Sequence, residues 1–414
     1  MGKIYSLDQV SHMLSVNKET LRRWDKSEKL IAKRHPMNGY RFYTKDQFKL
    51  FEQAELLNFE DENSNFDNIK PHSIYNSIEL FAGAGGLALG LEQAGIQHSL
   101  LNELDKWACN TLRTNRPDWK IIEGDIRNIN FSQYRKKIDV LTGGFPCQSF
   151  SFAGKKLGLN DARGTLFFEY ARALKEIKPK ICIAENVRGL LSHENGETLS
   201  GMINVLEELG YKVLPPRVLK AIYYNVPQKR ERLVIVGIRN DIKTEFHYPT
   251  PANKVYNLKD ALKKGELYKN DVPFSSGQKY PERKKEILSM VPPGGCWRNL
   301  PINIQKEYML KSFYLGGGKT GMARRISWDE PCLTLTCAPA QKQTERCHPE
   351  ETRPFTVKEY ARIQTFPDEW FFSGSISQQY KQIGNAVPVN LAKKIGLSIV
   401  DFLNRYYENE LNEK

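Results

Sequence analysis

A chain of 414 residues with 40% hydrophobic content is long enough for two or three domains with ordinary cores. It holds no apolar run approaching the roughly 18 residues of a membrane span, and Met1 to Val10 lack both a basic start before an apolar run and a small-residue cleavage site, so a cytoplasmic protein is expected. Seven scattered cysteines speak for reduced thiols rather than a disulfide framework, and 61 Lys and Arg against 48 Asp and Glu, a net charge of +13, favour a polyanionic partner through phosphate neutralisation.

Residues 5 to 57 read as a compact helical unit. Ser6-Leu-Asp-Gln-Val opens with a plausible N-cap, and apolar Val10, Leu14 and Val16 precede a second helix from Asn17 that carries Lys18, Arg22, Arg23 and Trp24. Gly39-Tyr-Arg-Phe-Tyr looks like a short β-wing, and a third helix is expected from Thr44. Between residues 18 and 49 ten basic residues face four acidic ones. On Leu21-Arg-Arg-Trp and Gly39-Tyr-Arg-Phe-Tyr this unit resembles the winged helix-turn-helix of MerR-type regulators, which implies Arg22, Arg23 and Arg41 as DNA contacts. It occupies residues 1–58. An acidic, polar stretch, Glu60-Asp-Glu-Asn-Ser-Asn-Phe-Asp-Asn, reads as a linker over 59–73.

From Ser77 onward short apolar runs alternate with amphipathic stretches. Strands are expected at Ser77 to Leu80, Ser99 to Leu101, Lys120 to Ile122, Val140 to Thr142, Ile181 to Ala184 and Leu233 to Ile238, the rhythm of an α/β fold with a mostly parallel sheet. That pattern covers 74–246. It fails between 247 and 350, where Pro, Gly, Lys and aromatics predict a separate loop-rich domain, and returns over 351–414, ending in an amphipathic helix from Asn390 to Leu403.

After the first of these strands, Phe81-Ala-Gly-Ala-Gly-Gly-Leu forms a glycine-rich turn opening a helix from Leu87 to Ala94, the type of turn that lets backbone approach a ligand. Glu103 ends the next strand, where a carboxylate can accept ribose hydroxyls, and Asp125 ends the one after it. Three successive strand ends therefore favour an adenosine-type ligand. Gly316-Gly-Gly-Lys-Thr imitates a phosphate loop but lacks the required first glycine, since Phe313 stands there.

Gly143-Gly-Phe-Pro-Cys-Gln-Ser-Phe-Ser, at the end of the fourth strand, sets Cys147 at the rim of the sheet. Glu185, in Ile181-Cys-Ile-Ala-Glu-Asn-Val, lies just beyond the fifth strand, so a thiol and a carboxylate can converge. In Gln228-Lys-Arg-Glu-Arg, the residues Gln228, Arg230 and Arg232 alternate to one face of an extended segment, and two guanidiniums there can bind phosphate or orient a base carbonyl.

With Asp161-Ala-Arg-Gly-Thr-Leu-Phe-Phe, Arg353-Pro-Phe-Thr, Glu359, Arg362, Gln364, Phe366-Pro and Gln382-Ile-Gly-Asn-Ala-Val-Pro in order, residues 77–246 and 353–403 resemble the bacterial DNA cytosine-5 methyltransferases. The resemblance implies an S-adenosylmethionine-dependent methyltransferase fold acting on double-stranded DNA as a monomer, in functional partnership with a cognate restriction endonuclease. It implies catalytic roles for Cys147, Gln148, Glu185, Arg230 and Arg232. Cys147 adds to C6 of a flipped-out cytosine, Glu185 engages N3 and the exocyclic amine, and Arg232 holds O2. For the cofactor it implies Phe81, Gly83, Gly85, Gly86, Glu103, Asp125, Ile126, Pro146, Leu166 and Asn385. Residues 148–165 resemble the loop that closes on the base, which brings Ser151 and Arg163 to DNA. Target recognition falls to 247–350, with Arg324 and Arg325 as DNA contacts. Leu104 departs from relatives that carry an aromatic there. Cys332, Cys337, Cys347 and His348 lack paired knuckles, and no metal is expected. A regulator with a degenerate enzymatic body and an RNA methyltransferase are the rival readings.

Overall fold

The computed structural model describes residues 4–13, 18–28, 30–34, 39–44, 47, 68–145, 166–252, 254–315 and 320–412. These divide into two units, one ending at Asn68 and one beginning at Ile69.

In the first unit, strand β1 (Ile4–Ser6) leads directly into helix α1 (Leu7–Met13). Ser6 and Gln9 cap it reciprocally: Gln9 N donates to Ser6 Oγ at 3.2 Å and Ser6 N to Gln9 Oε1 at 2.8 Å. Helix α2 (Lys18–Lys26) follows, and β2 (Lys33–Arg34) and β3 (Arg41–Thr44) form the arms of the wing, with β3 between β1 and β2 in an antiparallel sheet. Tyr5, Val10, Leu21, Leu30, Ala32 and Tyr43 build a small core. Leu14, Val16 and the helix expected after Thr44 lie outside the described residues, apart from Gln47.

The second unit is organised by strands β4 (Tyr75–Leu80), β5 (Ile96–Glu103), β6 (Ile121–Glu123), β7 (Val140–Gly143) and β8 (Ile181–Val187), all mutually parallel. Between them run α3 (Gly86–Gln93), α4 (Lys106–Asn115) and α5 (Leu166–Ile177). After α6 (Glu197–Glu208) come the short strands β9 (Tyr211–Val213), β10 (Arg217–Lys220) and β11 (Gln228–Lys229), then β12 (Glu231–Arg239). The sheet order is β10-β12-β8-β7-β4-β5-β6, with β9 also on β12, and β12 runs antiparallel to all its neighbours. All six strands expected from sequence are present. Because β5 and β7 flank β4 on opposite sides, strand order reverses at β4, and a crevice opens beyond its C-terminal end.

Buried strands such as Ile181-Cys-Ile-Ala read as continuous apolar runs because both faces are covered. On one face α5 contributes Phe167, Phe168, Tyr170, Leu174 and Ile177, while its Arg172 is held at the edge by Glu169 and Glu176. On the other, every residue of α3 from Gly86 to Leu91 is buried, since the long α12 (Val389–Asn412) lies over it. Contact is close enough to require glycine: a Cβ on Gly90 would fall 2.3 Å from the Ala392 Cβ. No helix among the described residues is long and apolar enough to cross a membrane.

Residues 247–350 contribute α7 (Leu258–Leu262), α8 (Glu282–Ser289), α9 (Ile302–Met309) and β13 (Cys332–Leu333), followed by α10 (Val357–Ile363) and α11 (Ile376–Asn385). Tyr280, Ile287, Leu288, Val291, Trp297, Tyr308, Met309 and Met322 gather in a core of their own. Leu258, Leu262, Ile326, Cys332 and Leu335 instead join Phe355, Tyr360, Ile383 and Ala88 in the core behind the crevice.

Candidate active site

The crevice beyond β4 is a cavity of about 470 Å³, bounded by the ends of β4, β5, β6, β7, β8 and β12 and by the turn after α11. At its β4 end the chain reverses through Phe81, Gly83 and Gly85, with φ of 59°, 55° and 84°. Left-handed backbone is open to glycine but strained at Phe81, a local cost of about 1 kcal/mol or more that active sites often retain. Gly86 admits no side chain, because a Cβ would sit 2.3 Å from the Val387 carbonyl oxygen. The turn is fixed by Glu103, whose Oε2 accepts Gly83 N at 2.7 Å while Oε1 accepts Leu104 N and Asp105 N, each at 2.8 Å.

Asp125 caps the short turn after β6, accepting Arg127 N at 2.9 Å, and pairs with the Arg127 guanidinium at 3.3 Å. Buried Ile126 and the half-buried Phe81 and Leu166 form the apolar wall, Leu104 stands 69% exposed at the rim, and Asn385 closes the far side. One group was not anticipated. Glu79, on β4, is wholly buried in the cavity wall; burial pushes its pKa up to about 8, and its Oε2 has no hydrogen-bond partner among the described residues. An acid between Ile78 and Leu80 in a buried strand was the available signal.

At the other end, β8 and β12 bring Glu185 and Arg232 together, Arg232 Nε lying 2.6 Å from Glu185 Oε1, with both side chains almost excluded from solvent. Burial raises the carboxyl's pKa and the guanidinium pulls it back, leaving Glu185 above the ordinary carboxylate range. Buried Asn186, beside it, donates from Nδ2 to the Phe145 carbonyl at 3.0 Å. A Cβ on Gly144 would lie 3.0 Å from Glu185 Oε2. The exit of β7, two residues before Cys147, is therefore pinned against the Glu185 strand. Pro146, Cys147, Gln148, Ser151 and Arg163 lie outside the described residues.

Arg230 departs from the expected alternation. The extended segment breaks at this residue: Gln228–Lys229 pairs in parallel with β13, Glu231 onward belongs to the main sheet, and Arg230 N turns back to Gln228 O at 2.9 Å. Arg230 is 2% exposed, and its guanidinium donates to the carbonyls of Leu335 at 3.2 Å and Gly384 at 2.9 Å. It is thus tied to protein carbonyls at the cavity wall, and of the two arginines only Arg232 pairs with Glu185.

The target-recognition arginines need correction for the same reason. Arg325 is buried and spends its donors on the carbonyls of Val291, Leu288 and His348, at 2.7, 2.8 and 2.9 Å. Arg324 grips Glu330 with two bonds of 2.6 Å and also meets the Gly294 carbonyl. Both guanidiniums are thus engaged within the chain. In the first unit Arg22 and Arg23 are exposed on α2, Arg22 in an ion pair with Glu19 at 3.1 Å, while Arg41 is drawn to Asp25 at 2.7 Å.

A larger cleft of about 810 Å³ is lined by Phe274, Trp328, His348 and Arg353 among others. It contains none of the converging groups above. Among the described residues no three His, Cys, Asp or Glu side chains assemble as metal ligands.

Residues 75–401 match the model of the C-5 cytosine-specific DNA methylases, and residues 5–61 that of the MerR helix-turn-helix regulatory proteins. The chain is 64% identical over 403 residues to the type II methyltransferase M.Eco47II of Escherichia coli, covering 97% of this chain and 96% of that one. To M.Sau96I of Staphylococcus aureus it is 55% identical over 351 residues, covering 84% and 80%. The Dnmt2 methyltransferase of S. pombe shares its fold at 16% identity and a TM-score of 0.57, over 80% of this chain and all of that one. The chain therefore belongs to the C-5 cytosine-specific DNA methylase family and is a DNA (cytosine-5) methyltransferase.

Proposed function

We propose that this enzyme is the modification methyltransferase of a type II restriction–modification system, paired in function with a cognate endonuclease, and that it methylates a cytosine flipped out of duplex DNA. The observation that carries the reading is the cavity itself, which joins a glycine turn held by Glu103 to the buried Glu185–Arg232 pair, with the exit towards Cys147 between them. The most similar relatives named above are type II methyltransferases.

The cavity fits S-adenosylmethionine. Glu103 Oε2, which accepts a single main-chain N–H, retains a lone pair for a ribose hydroxyl, Asp125 lies where an adenine amine can be met, Ile126, Phe81 and Leu166 offer apolar faces, and the unpartnered Glu79 oxygen offers a further hydrogen-bonding group in the wall. Leu104 supplies at the rim an aliphatic contact instead of an aromatic stack. When bound, this cofactor supplies an electrophilic methyl group on a sulfonium.

The chain's own groups prepare the base. Cytosine C5 is a poor nucleophile, so the Cys147 thiolate adds to C6, forming an S–C6 bond and moving the ring electrons towards C5 and N3. Glu185, poised above the ordinary carboxylate range, gives a proton to N3 and accepts the exocyclic amine, while Arg232 holds O2. Once C5 carries the methyl group, loss of its proton restores the C5–C6 double bond and expels Cys147. Unstacking of the base is required because C6 is inaccessible in the duplex.

The first unit, with its wing and the exposed Arg22 and Arg23, is read as a separate DNA-binding module that represses transcription at an operator of its own. The catalytic reading is tested by incubating the full chain and cofactor with duplex DNA bearing 5-fluorocytosine at the target. A stable adduct mapping to Cys147 is expected; an adduct through any other residue overturns the assignment.

A further inference from the structure

Behind the cofactor turn, segments far apart in sequence are joined by bonds that the reaction does not use. The residues Gly384 and Asn385 end α11 and line the cavity. Against them runs Leu335–Cys337, from the stretch following β13. Approach of the two backbones is so close that a Cβ on Gly384 would come within 2.4 Å of the Thr336 carbonyl oxygen and 2.8 Å of Cys337 N. Gln228 accepts Leu335 N at 3.0 Å and donates to Gln364 Oε1 at 2.9 Å, and Gln364 passes its own amide to the Ile383 carbonyl at 2.7 Å. The Cys337 thiol donates to Asn385 Oδ1 at 3.0 Å.

Arg230 bridges the two segments, one nitrogen on Leu335 O and the other on Gly384 O. A buried guanidinium on neutral carbonyls makes charge-assisted bonds that a shorter or apolar side chain cannot replace, and its loss leaves both carbonyls without a donor. We infer that Arg230 is a positioning residue: it clamps Leu335–Cys337 to the end of α11, and Cys337, the next link, fixes the side-chain amide of Asn385 for the cofactor. The device rests on the S-adenosylmethionine reading above. It makes part of the stretch assigned to target recognition a structural support of the cofactor site.

The test uses the full chain and S-adenosylhomocysteine as the probe, with affinity measured by calorimetry and Cys337 alkylation by iodoacetamide followed by peptide mapping. In the wild type the probe should slow alkylation of Cys337. Arg230→Lys should weaken probe binding about tenfold, the loss of one charge-assisted hydrogen bond, and abolish that protection. Should Arg230→Lys fold poorly, Cys337→Ala carries the test: about threefold weaker binding is expected, raising the cofactor KM with kcat held, and Cys337→Ser should restore most of the affinity by supplying a hydroxyl donor. If both the Arg230 and the Cys337 variants bind the probe as the wild type does, or if Arg230→Lys loses DNA affinity or kcat alone, the clamp is wrong and Arg230 acts on DNA. A wild type that binds no probe overturns the cofactor reading itself, an outcome the variants cannot imitate.

Discussion

At the end of the cavity bounded by β4, β5 and β6, a ligand would meet main-chain turns and a carboxylate, Glu103, that already holds three main-chain N–H groups. At the end bounded by β8 and β12 it would meet a carboxyl and a guanidinium, Glu185 and Arg232, pressed together out of water. The first end is rigid because backbone geometry makes it so. The second stores an electrostatic bias, since burial shifts the Glu185 carboxyl towards its protonated form while Arg232 opposes that shift. One cavity thus separates holding from reacting, and substitutions at its two ends should fail in different ways.

The largest effect is expected at the reactive end. Glu185→Gln keeps the shape but cannot transfer a proton, so kcat should fall about a thousandfold while probe affinity at the cofactor end stays unchanged. A matching loss of cofactor binding would mean that the two ends are not separable. Next comes Glu103→Ala, which removes the ribose acceptors and releases the glycine turn; cofactor affinity by calorimetry should drop about a hundredfold, with 5-fluorocytosine trapping recoverable at saturating cofactor. Smaller again is Gly86→Ala. Its methyl group meets the Val387 carbonyl, so a loss of ~1–3 kcal/mol in thermal stability is expected, accompanied by weaker cofactor binding.

How much of this was legible beforehand depended on distance along the chain. The six main strands, the glycine turn and Glu103 with its 20-residue offset from Gly83 are local or nearly local features, and the structure brings them to one crevice. Arg230 was misjudged because strand alternation gives the direction of a side chain but not its partner, and its partners lie 105 and 154 residues away. Arg324 and Arg325 misled similarly: a basic pair in a loop-rich region looks free until Glu330 and the carbonyls around it are placed. Positive charge indicates a polyanion only where it remains in water. Cys147, the residue most plainly marked by its motif, lies outside the described residues, so its partners rest on the motif and on the pinned Phe145.

The smallest expected effect sharpens the contrast through pH. Glu79 has its pKa raised in the folded chain from 4.5 to about 8. The folded state therefore binds more protons than the unfolded state in that interval, so this group's contribution to stability is fully present below 4.5 and is lost as pH rises towards 8. Glu79→Gln should flatten the dependence, raising Tm by a few degrees near pH 8 and leaving it almost unchanged near pH 5. An identical Tm difference at both pH values would show that Glu79 does not titrate there.

The helix that follows the glycine turn is covered by the last helix of the chain, Gly90 against Ala392 and Ala94 against Gly396. Synthesis, however, runs from the other end. A nascent chain has made its glycine turn, its proton donor and most of its sheet long before the covering helix leaves the ribosome, and until then α3 exposes a face that belongs indoors. A cut between α11 and α12 should therefore silence the enzyme however much of the cavity remains. The interval between finishing the site and covering it is a delay built into the order of the elements along the chain.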